Sequence, residues 1–411
     1  MSLKPIAVIE IGTTQTVAML GSCSSKGDGT INIEAFCTEK TSGIRKSEVQ
    51  SAQSVTTTAR GLLTPLSKKG RADINKVNIV YSGGNLQYSH IFGKTEIDNI
   101  DEIVEPEDKE TAFENLRASP LQSGRTTLEE IPGDFILDNS RKVEDPEGLR
   151  ASELSVTGIR THVDSNSYYA LIDAIDDSLC DVERVYSEAA SSPLGCTTKE
   201  QREAGVLVIN LGGGSSSWSI TKDDRVVAVG HLAVGGDHVT NDILSAFHTG
   251  TDESANALKH SYAQATLDGI DPAARVEIPK NLGITKYVNL RALTTVINAR
   301  LDETLRILKN QITDSDAMDG LGSGIVLCGG GAFIKGLSKL TSQIFGGIPC
   351  TMGSMPVTGF SEIDDDPENL RYAAVYGALT RAIKVAFEEE DFHRGGFPSL
   401  FGIFGRRGGS R

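Results

Sequence analysis

The hydrophobic and polar positions of this chain repeat in two similar units. Residues 6–20 and residues 206–220 each contain an apolar, β-branched run, one polar side chain, a turn of small residues and a second apolar run. This pattern is typical of two strands joined by a tight hairpin. Two such units in one chain indicate an internal duplication, which predicts an α/β fold built from two related domains.

A third glycine turn follows an apolar strand later in the chain, where residues 324–337 pass through three consecutive glycines into a predicted helix. Between the two repeated units, residues 83–160 are acidic and rich in turn-forming residues, which predicts a small, loop-rich inserted domain. Apolar residues at helical spacing predict the main helices. These helices cover 239–247, 255–265, 288–312 and 371–385.

Composition narrows the class of protein. The chain has 411 residues, too many for one ordinary core, and a formal charge of −15 from 40 basic and 55 acidic residues. This balance argues against a nucleic-acid partner, which requires a basic face. The six cysteines are scattered without a CxxC motif, so we expect reduced thiols rather than zinc or a disulfide framework.

Membrane-directing signals are weak at the start of the chain. No basic start with an apolar core marks a signal peptide, and no run of about 20 apolar residues predicts a membrane-spanning helix. We therefore expect a cytoplasmic protein whose C-terminus is its only segment to touch a bilayer.

The three glycine turns predict a nucleotide cleft. Glycine lets backbone N–H groups approach an anion, and successive N–H groups in a tight turn form a concave anion site. Two facing hairpins would hold the phosphates of ATP, and the third turn would leave bare backbone for the adenosine. Glu10 and Asn210 precede the two hairpins and would face Mg²⁺ through water. The remaining predicted contacts are Gly12, Thr13, Thr14, Gly212, Gly213, Gly214, Ser215, Gly329, Gly330 and Gly331.

These motifs resemble those of the actin/Hsp70/sugar-kinase superfamily and, within it, the FtsA family of bacterial cell-division proteins. The inserted stretch at 131–149 and the segment at 235–243 separate this family from MreB, Hsp70 and sugar kinases. The other matching motifs are 10–13, 43–46, 210–215 and 325–332. The resemblance covers nearly the whole chain.

The resemblance implies an actin-like ATPase fold with two RNase H-like domains, an inserted FtsA-type subdomain and a C-terminal amphipathic helix. The implied division is a first subdomain at 1–82 and 161–200, the insert at 83–160, a second subdomain at 201–229 and 311–387, its small subdomain at 230–310, a linker at 388–396 and a tail at 397–411.

The resemblance also implies what such a protein does. It would bind ATP, form filaments of itself on the inner face of the cytoplasmic membrane at the division site, tether FtsZ through that protein's C-terminal tail peptide, and help to recruit later division proteins. The alternatives are a PilM-like adaptor of pilus assembly and an actin-fold small-molecule kinase. A kinase would need a catalytic carboxylate and a substrate pocket between the domains, and neither is clear in the sequence.

Several site residues come from the resemblance alone. Gly235 and Gly236 match the family, and so does Lys259, whereas Asn210 stands where the family usually has Asp and Asn256 where it usually has Glu. These two amides predict that ATP is mainly a structural ligand and that ATPase activity is weak or absent. Glu188 resembles the acid that positions the attacking water in MreB-like relatives, and a solvated glutamate at a helix end is the alternative.

The C-terminal residues carry an amphipathic pattern. At 100° per residue Phe397, Leu400, Phe401 and Phe404 share one face, with Ile403 at its edge and Arg406 and Arg407 elsewhere on the helix. Aromatic, apolar and basic positions in this order are typical of a helix that lies on a membrane surface. A helix that docks on a partner protein and an unstructured tail are the alternatives.

A partner surface follows from the resemblance as well. In FtsA-like proteins the small subdomain of the second half binds the FtsZ tail through basic residues. The candidates here are Lys280, Lys286, Arg291 and Arg300.

Overall fold

The computed structural model describes residues 4–23, 31–83, 85–178, 180–279, 286–356 and 358–393. The chain begins with a hairpin whose strands are nearly all buried, as expected for β-branched runs at the centre of a layered fold. The elements up to the insert are β1 (Ile6–Ile11), β2 (Gln15–Cys23), β3 (Ile31–Lys40), β4 (Ile44–Arg45), β5 (Glu48–Val49), α1 (Ala52–Gly70) and β6 (Lys76–Tyr81).

The next elements form a separate sheet with the order β7–β10–β8–β9, covered on one face by α2. The prediction of a loop-rich insert is wrong, because acidic residues near its start form the first turn of helix α2. Pro106 occupies this turn, and Glu105 and Asp108 form a capping box. The elements are β7 (Gln87–Glu96), α2 (Pro106–Arg117), β8 (Arg125–Leu137), β9 (Arg141–Val143) and β10 (Glu153–Asp164).

The chain then returns to the first sheet and continues into the second half. The predicted helices at 239–247, 255–265, 288–312 and 371–385 are all present, with shifted ends. The elements are α3 (Ser165–Asp176), β11 (Asp181–Ser187), α4 (Glu188–Cys196), α5 (Lys199–Glu203), β12 (Val206–Leu211), β13 (Ser216–Lys222), β14 (Arg225–Leu232), α6 (Gly236–Phe247), α7 (Asp252–Tyr262), β15 (Arg275–Glu277), β16 (Tyr287–Asn289), α8 (Leu290–Thr313), β17 (Ile325–Cys328), α9 (Leu337–Ile344), β18 (Cys350–Met352), α10 (Ser361–Asp364) and α11 (Ala373–His393).

The two large sheets have the same strand order. The first runs β11–β6–β1–β2–β3 and the second β18–β17–β12–β13–β14. In each, the first strand of the glycine hairpin pairs antiparallel with its hairpin partner and parallel with the strand on its other side. The duplication predicted from the hydrophobic pattern is therefore present as two equivalent sheets.

Helices α4 and α11 pack closely where the two halves meet. A methyl group on Gly195 of α4 would overlap the carbonyl of Ala373, and one on Gly377 of α11 would overlap the carbonyl of Ser191. Glycine at both positions lets the two backbones touch. This contact fixes the orientation of α4, whose first residue is Glu188.

The prediction of a linker at 388–396 is wrong for residues 388–393, because α11 continues to His393. Glu389 accepts a hydrogen bond of 2.6 Å from Arg184 of β11, which holds the last turns of the helix against the first sheet. A charged, polar segment therefore extends the helix here instead of ending it.

Candidate functional site

A cavity of about 290 Å³ lies between the two halves, and all three glycine turns line it. Glu10, Asn210 and Glu188 form its floor at the ends of β1, β12 and β11. The other predicted residues in the lining are Gly12, Thr13, Thr14, Gly212, Gly213, Gly214, Ser215, Gly236, Asn256, Lys259, Gly329, Gly330 and Gly331. Residues far apart in the chain thus meet at one site.

The two hairpin turns have the same backbone hydrogen bond. Gly12 N donates to Gln15 O at 3.1 Å, and Gly212 N donates to Ser215 O at 3.0 Å. The turns also face each other, since a methyl group on Gly214 would overlap the side chain of Thr13. The two equivalent turns therefore lie against each other, and glycine at position 214 leaves the space that the side chain of Thr13 occupies.

A chain of hydroxyl groups joins the turns. Ser47 N donates to Thr13 Oγ1 at 3.0 Å, and the hydroxyls of Ser47 and Ser215 lie 2.9 Å apart. Ser215 Oγ also donates to Ser82 O at 3.3 Å. Ser47 and Ser82 were not among the predicted site residues. Their contacts with Ser215 join parts of the chain that no local pattern relates.

Asn210 uses its amide to hold a carboxylate. Its Nδ2 donates to Glu188 Oε1 at 2.7 Å and to Ser192 Oγ at 3.1 Å. Glu188 is 6% exposed, so the alternative of a solvated residue at a helix end is wrong. Its catalytic role stays a prediction. The amide therefore binds the acid of α4, the group predicted to position water.

Burial dominates the electrostatics of the floor. It raises the pKa of Glu10 from 4.5 to about 7. It also raises the pKa of Glu188 well above its usual value, and the nearby carboxylate of Glu10 raises it further. Two carboxyl groups this close disfavour each other's ionisation. A bound proton or a bound cation would therefore stabilise this pair of carboxyl groups.

The donor set fits a water-mediated magnesium ion. Glu10 Oε2 is buried without a hydrogen-bond partner in the described part of the chain. An unpartnered carboxylate oxygen beside the glycine turns is a suitable outer ligand for a hard cation that keeps most of its waters. Asn210 can accept from such a water through Oδ1, because its amide nitrogen is already used. Among the described residues, no cluster of three or more His, Cys, Asp or Glu forms an all-protein metal site.

The third glycine turn has three different surroundings. Gly329 has φ +82°, and a methyl group there would overlap Asn210 Oδ1, while one on Gly331 would meet Leu211. A methyl group on Gly330 would meet nothing within 4 Å. Gly330 therefore presents bare backbone to the cavity, next to a wall formed by Phe333, Ile334, Ala263 and His260.

Helices α6 and α7 contribute further residues to the cavity lining. Lys259 Nζ donates to Gly236 O at 3.1 Å and to Thr240 Oγ1 at 2.8 Å, and burial lowers the pKa of this lysine. Asn256 lies beside it with an exposed side chain. Predicted contact Gly235 is absent from the cavity lining given by the described residues. It lies behind the second turn, where a methyl group would crowd the carbonyls of Gly212 and Gly213.

The predicted partner cations are distributed differently. Lys286 caps the carbonyls of Phe247 and His248 at 2.7 and 3.1 Å, and Arg300 forms an ion pair with Asp242. These two cations are already engaged. Arg291 is exposed in the first turn of α8.

Two groups of predictions concern residues that the structure does not describe. Lys280 lies outside the described residues, as do the tail positions Phe397, Leu400, Phe401, Ile403, Phe404, Arg406 and Arg407. Within the described ranges, no helix has the length and apolar character needed to cross a membrane.

Two equivalent sheets with glycine hairpins that meet over one cleft define an actin-like α/β protein. Solved structures support this class. The chain aligns with the PilM–PilN type IV pilus biogenesis complex at TM-score 0.61 and 14% identity, covering 92% of this chain and 98% of that one. MreB5 of Spiroplasma citri bound to ADP aligns at TM-score 0.56 and 12% identity, covering 94% and 99%.

Sequence comparison then gives the family. The model for cell division protein FtsA matches residues 207–377, and the model for the SHS2 domain inserted in FtsA matches 83–160. FtsA of Pseudomonas aeruginosa is 24% identical over 370 residues, covering 89% of this chain and 86% of that protein. FtsA of Escherichia coli K12 is 23% identical over 385 residues, covering 92% and 90%. The chain belongs to the FtsA family, which confirms the resemblance seen in its motifs.

Proposed function

We propose that this protein binds ATP and Mg²⁺ in the cleft and acts as an FtsA-type scaffold of cell division. It forms filaments on the inner face of the cytoplasmic membrane, tethers FtsZ through that protein's C-terminal tail peptide, and helps to recruit later division proteins. The observation that carries the proposal is the meeting of three glycine turns around one cavity in a chain of this family.

The shape of the cavity supports a direction for the nucleotide. The hairpin turns at 12–15 and 212–215 line the cavity and offer backbone N–H groups, other than those of Gly12 and Gly212, for the phosphates. The hydroxyl of Thr13 adds a donor beside them. The open backbone at Gly330 leaves room for the flat face of adenosine. Lys259 and Asn256 then lie on the side of the sugar.

Slow hydrolysis follows from the floor of the cleft. Glu188 would need a carboxylate oxygen free of protein contacts to act as a base toward an attacking water. The amide of Asn210 occupies Glu188 Oε1. ATP therefore serves mainly as a structural ligand that holds the two halves together. Mg²⁺ would neutralise the phosphate charge beside Glu10.

Membrane attachment rests on the predicted amphipathic tail. Burial of a large apolar side chain stabilises by about 1.5–3 kcal/mol, so five partly buried ones give only a weak anchor once the cost of ordering the tail is included. Linked copies on one filament bind far more tightly through effective concentration. Assembly would therefore decide how long the protein stays on the membrane.

The partner surface is proposed around Arg291. An exposed guanidinium at the start of α8 can pair with a carboxylate of an acidic peptide. Lys286 and Arg300 support the local fold through their own contacts. Reversal of charge in Arg291→Glu should weaken binding of the FtsZ tail peptide by at least about tenfold, measured by fluorescence anisotropy. Unchanged affinity removes this surface from the proposal.

Liposome co-sedimentation tests the scaffold function. The intact chain is compared with a chain that ends at His393, because α11 runs to that residue and a shorter chain would cut it. We expect the intact chain to pellet with anionic liposomes in MgATP and the shortened chain to stay in the supernatant. If both stay soluble, the membrane anchor is refuted and the pilus-adaptor and kinase alternatives return.

A further inference from the structure

Glu129 lies buried where the insert meets the first half. It belongs to β8 and is 5% exposed. One oxygen, Oε1, accepts a hydrogen bond of 2.9 Å from the backbone nitrogen of Ser187, the residue that caps α4. The other, Oε2, forms an ion pair of 2.7 Å with Arg381 of α11. A single carboxylate of the insert thus contacts both the residue that caps α4 and the last helix.

Arg381 strengthens this junction. Its guanidinium lies 5.0 Å from the ring centre of Tyr186, and it also donates to Ser191 Oγ at 3.3 Å. Tyr186 belongs to the end of β11 and Ser191 to α4. The side chain therefore holds α11 against both elements that lead to the cleft.

Helix α4 connects this junction to the cleft. Its first residue is Glu188, and its Ser192 accepts a hydrogen bond of 3.1 Å from the amide of Asn210. Because glycines let α4 and α11 pack backbone against backbone, a shift of one helix must move the other. Glu129 is therefore one residue away from a cleft carboxylate, through Ser187.

The neighbouring residue connects the insert's helix. Side chains of consecutive strand residues point to opposite faces, so Glu130 faces away from α4. It accepts two hydrogen bonds from Arg160, at 2.9 and 2.6 Å. Arg160 is 3% exposed and donates to the carbonyl of Ser119, just beyond α2. The backbone of β8 thus joins two sets of polar contacts, one that reaches the end of α2 and one that reaches the N-terminus of α4.

We propose that Glu129 is a positioning residue that couples the nucleotide cleft to the insert and to the last helix. The inference rests on the proposed binding of ATP. Nucleotide that orders α4 would then order β8 and α11 through Ser187 and Arg381. Because coupling is reciprocal, a partner that binds the insert or the last helix more tightly in the presence of ATP would raise the affinity for ATP by the same factor.

Hydrogen exchange of the full-length protein with and without MgATP tests this coupling. In the wild type we expect ATP to protect the turns at 12–15 and 212–215 and also the remote segments 125–137 and 373–389. Glu129→Gln keeps an acceptor for Ser187 but removes the charge opposite Arg381. We expect it to keep protection at the turns, to lose most remote protection, and to bind ATP about fivefold more weakly.

A matched control is Glu389→Gln, which removes an ion pair of the same helix that ends on Arg184 of β11. It should leave the remote protection by ATP intact. If Glu129→Gln does not fold, Arg381→Lys keeps the positive charge and is expected to reduce the remote protection in part.

The outcomes separate the two proposals. If ATP protects neither turn in the wild type, the proposed nucleotide site fails and the coupling fails with it. If ATP protects the turns but not the remote segments, the nucleotide site stands and the coupling is refuted. Equal remote protection in the wild type and in Glu129→Gln would remove Glu129 from the coupling.

Discussion

The side-chain amide of Asn210 donates a hydrogen bond of 2.7 Å to Glu188 Oε1 at the floor of the cleft. The amide satisfies one buried carboxyl oxygen without adding charge beside Glu10 and Glu188. An aspartate at this position would bring a third acid to the same floor. The amide that stands where the family usually has Asp therefore also makes a stabilising contact.

Asn210→Asp should make the protein depend on magnesium. Without metal, the new charge repels two neighbouring carboxyl groups and leaves Glu188 without its donor, so the free energy of unfolding should fall by about 2 kcal/mol. With Mg²⁺ much of this loss should be recovered. Thermal unfolding in EDTA and in Mg²⁺ measures the difference.

Asn210→Ala is the control, because it loses the hydrogen bond but adds no charge. It should gain no more stability from Mg²⁺ than the wild type gains. A variant Asn210→Asp that melts at the same temperature in both conditions would argue against a cation at this floor.

Glu10 should make stability fall as the pH rises toward neutrality. Burial raises its pKa from 4.5 to about 7, so the folded state binds the proton more tightly than the unfolded chain. The stabilisation is fully present below pH 4.5 and is lost as the pH rises through 7. The rise corresponds to about 3 kcal/mol. Urea unfolding in EDTA at pH 5 and pH 8 compares the wild type with Glu10→Gln.

The comparison with Glu10→Gln is needed because exposed carboxylates affect stability in the opposite direction. Hydrogen bonds lower the pKa of Asp138, for example, so its contribution to stability is lost as the pH falls. The Glu10→Gln variant should lose less stability between the two pH values. Parallel curves for the two proteins would contradict the raised pKa.

Gly377→Ala should destabilise the contact between α4 and α11. The added methyl group would overlap the carbonyl of Ser191, which belongs to a helix and cannot move away freely. We expect a loss of about 3 kcal/mol in the free energy of unfolding by guanidinium denaturation. Gly330→Ala is the matched control, because its methyl group meets nothing within 4 Å. Since loss of backbone freedom in the unfolded chain would stabilise both variants, a loss of similar size in both would show that the contact between α4 and α11 is not the cause.

The glycine turns could be predicted because each is a local pattern: an apolar run, small residues and a second run or a helix. Their equivalence also followed from the sequence, since the two hairpins repeat the same order of residue types. The hydroxyl contact between Ser47 and Ser215 could not be predicted, because it joins positions 168 residues apart and each serine is ordinary in its own segment.

The errors have physical causes too. The acidic character of residues 83–160 indicated a loop-rich insert, but Glu105 and Asp108 instead begin a helix by capping it. A linker is predicted from residue 388 onward, but Glu389 binds Arg184 and the helix continues. In both places an acidic side chain makes a hydrogen bond that stabilises the helix and that the local sequence pattern does not indicate. Gly235 matched the family motif, yet its role is close backbone packing behind the second turn.

The central claim is that the cleft holds an adenine nucleotide, and Gly330→Val tests it most directly. Gly330 lines the cavity and a methyl group there meets nothing within 4 Å, so we expect the valine variant to keep its free energy of unfolding while its side chain takes up space needed by adenosine. The measurement is isothermal titration calorimetry with MgATP on the wild type, Gly330→Ala and Gly330→Val. We predict saturable binding to the wild type and a loss of at least about tenfold in affinity for Gly330→Val, with Gly330→Ala between them. Equal affinity of all three proteins, or no binding of MgATP to the wild type, would contradict the account.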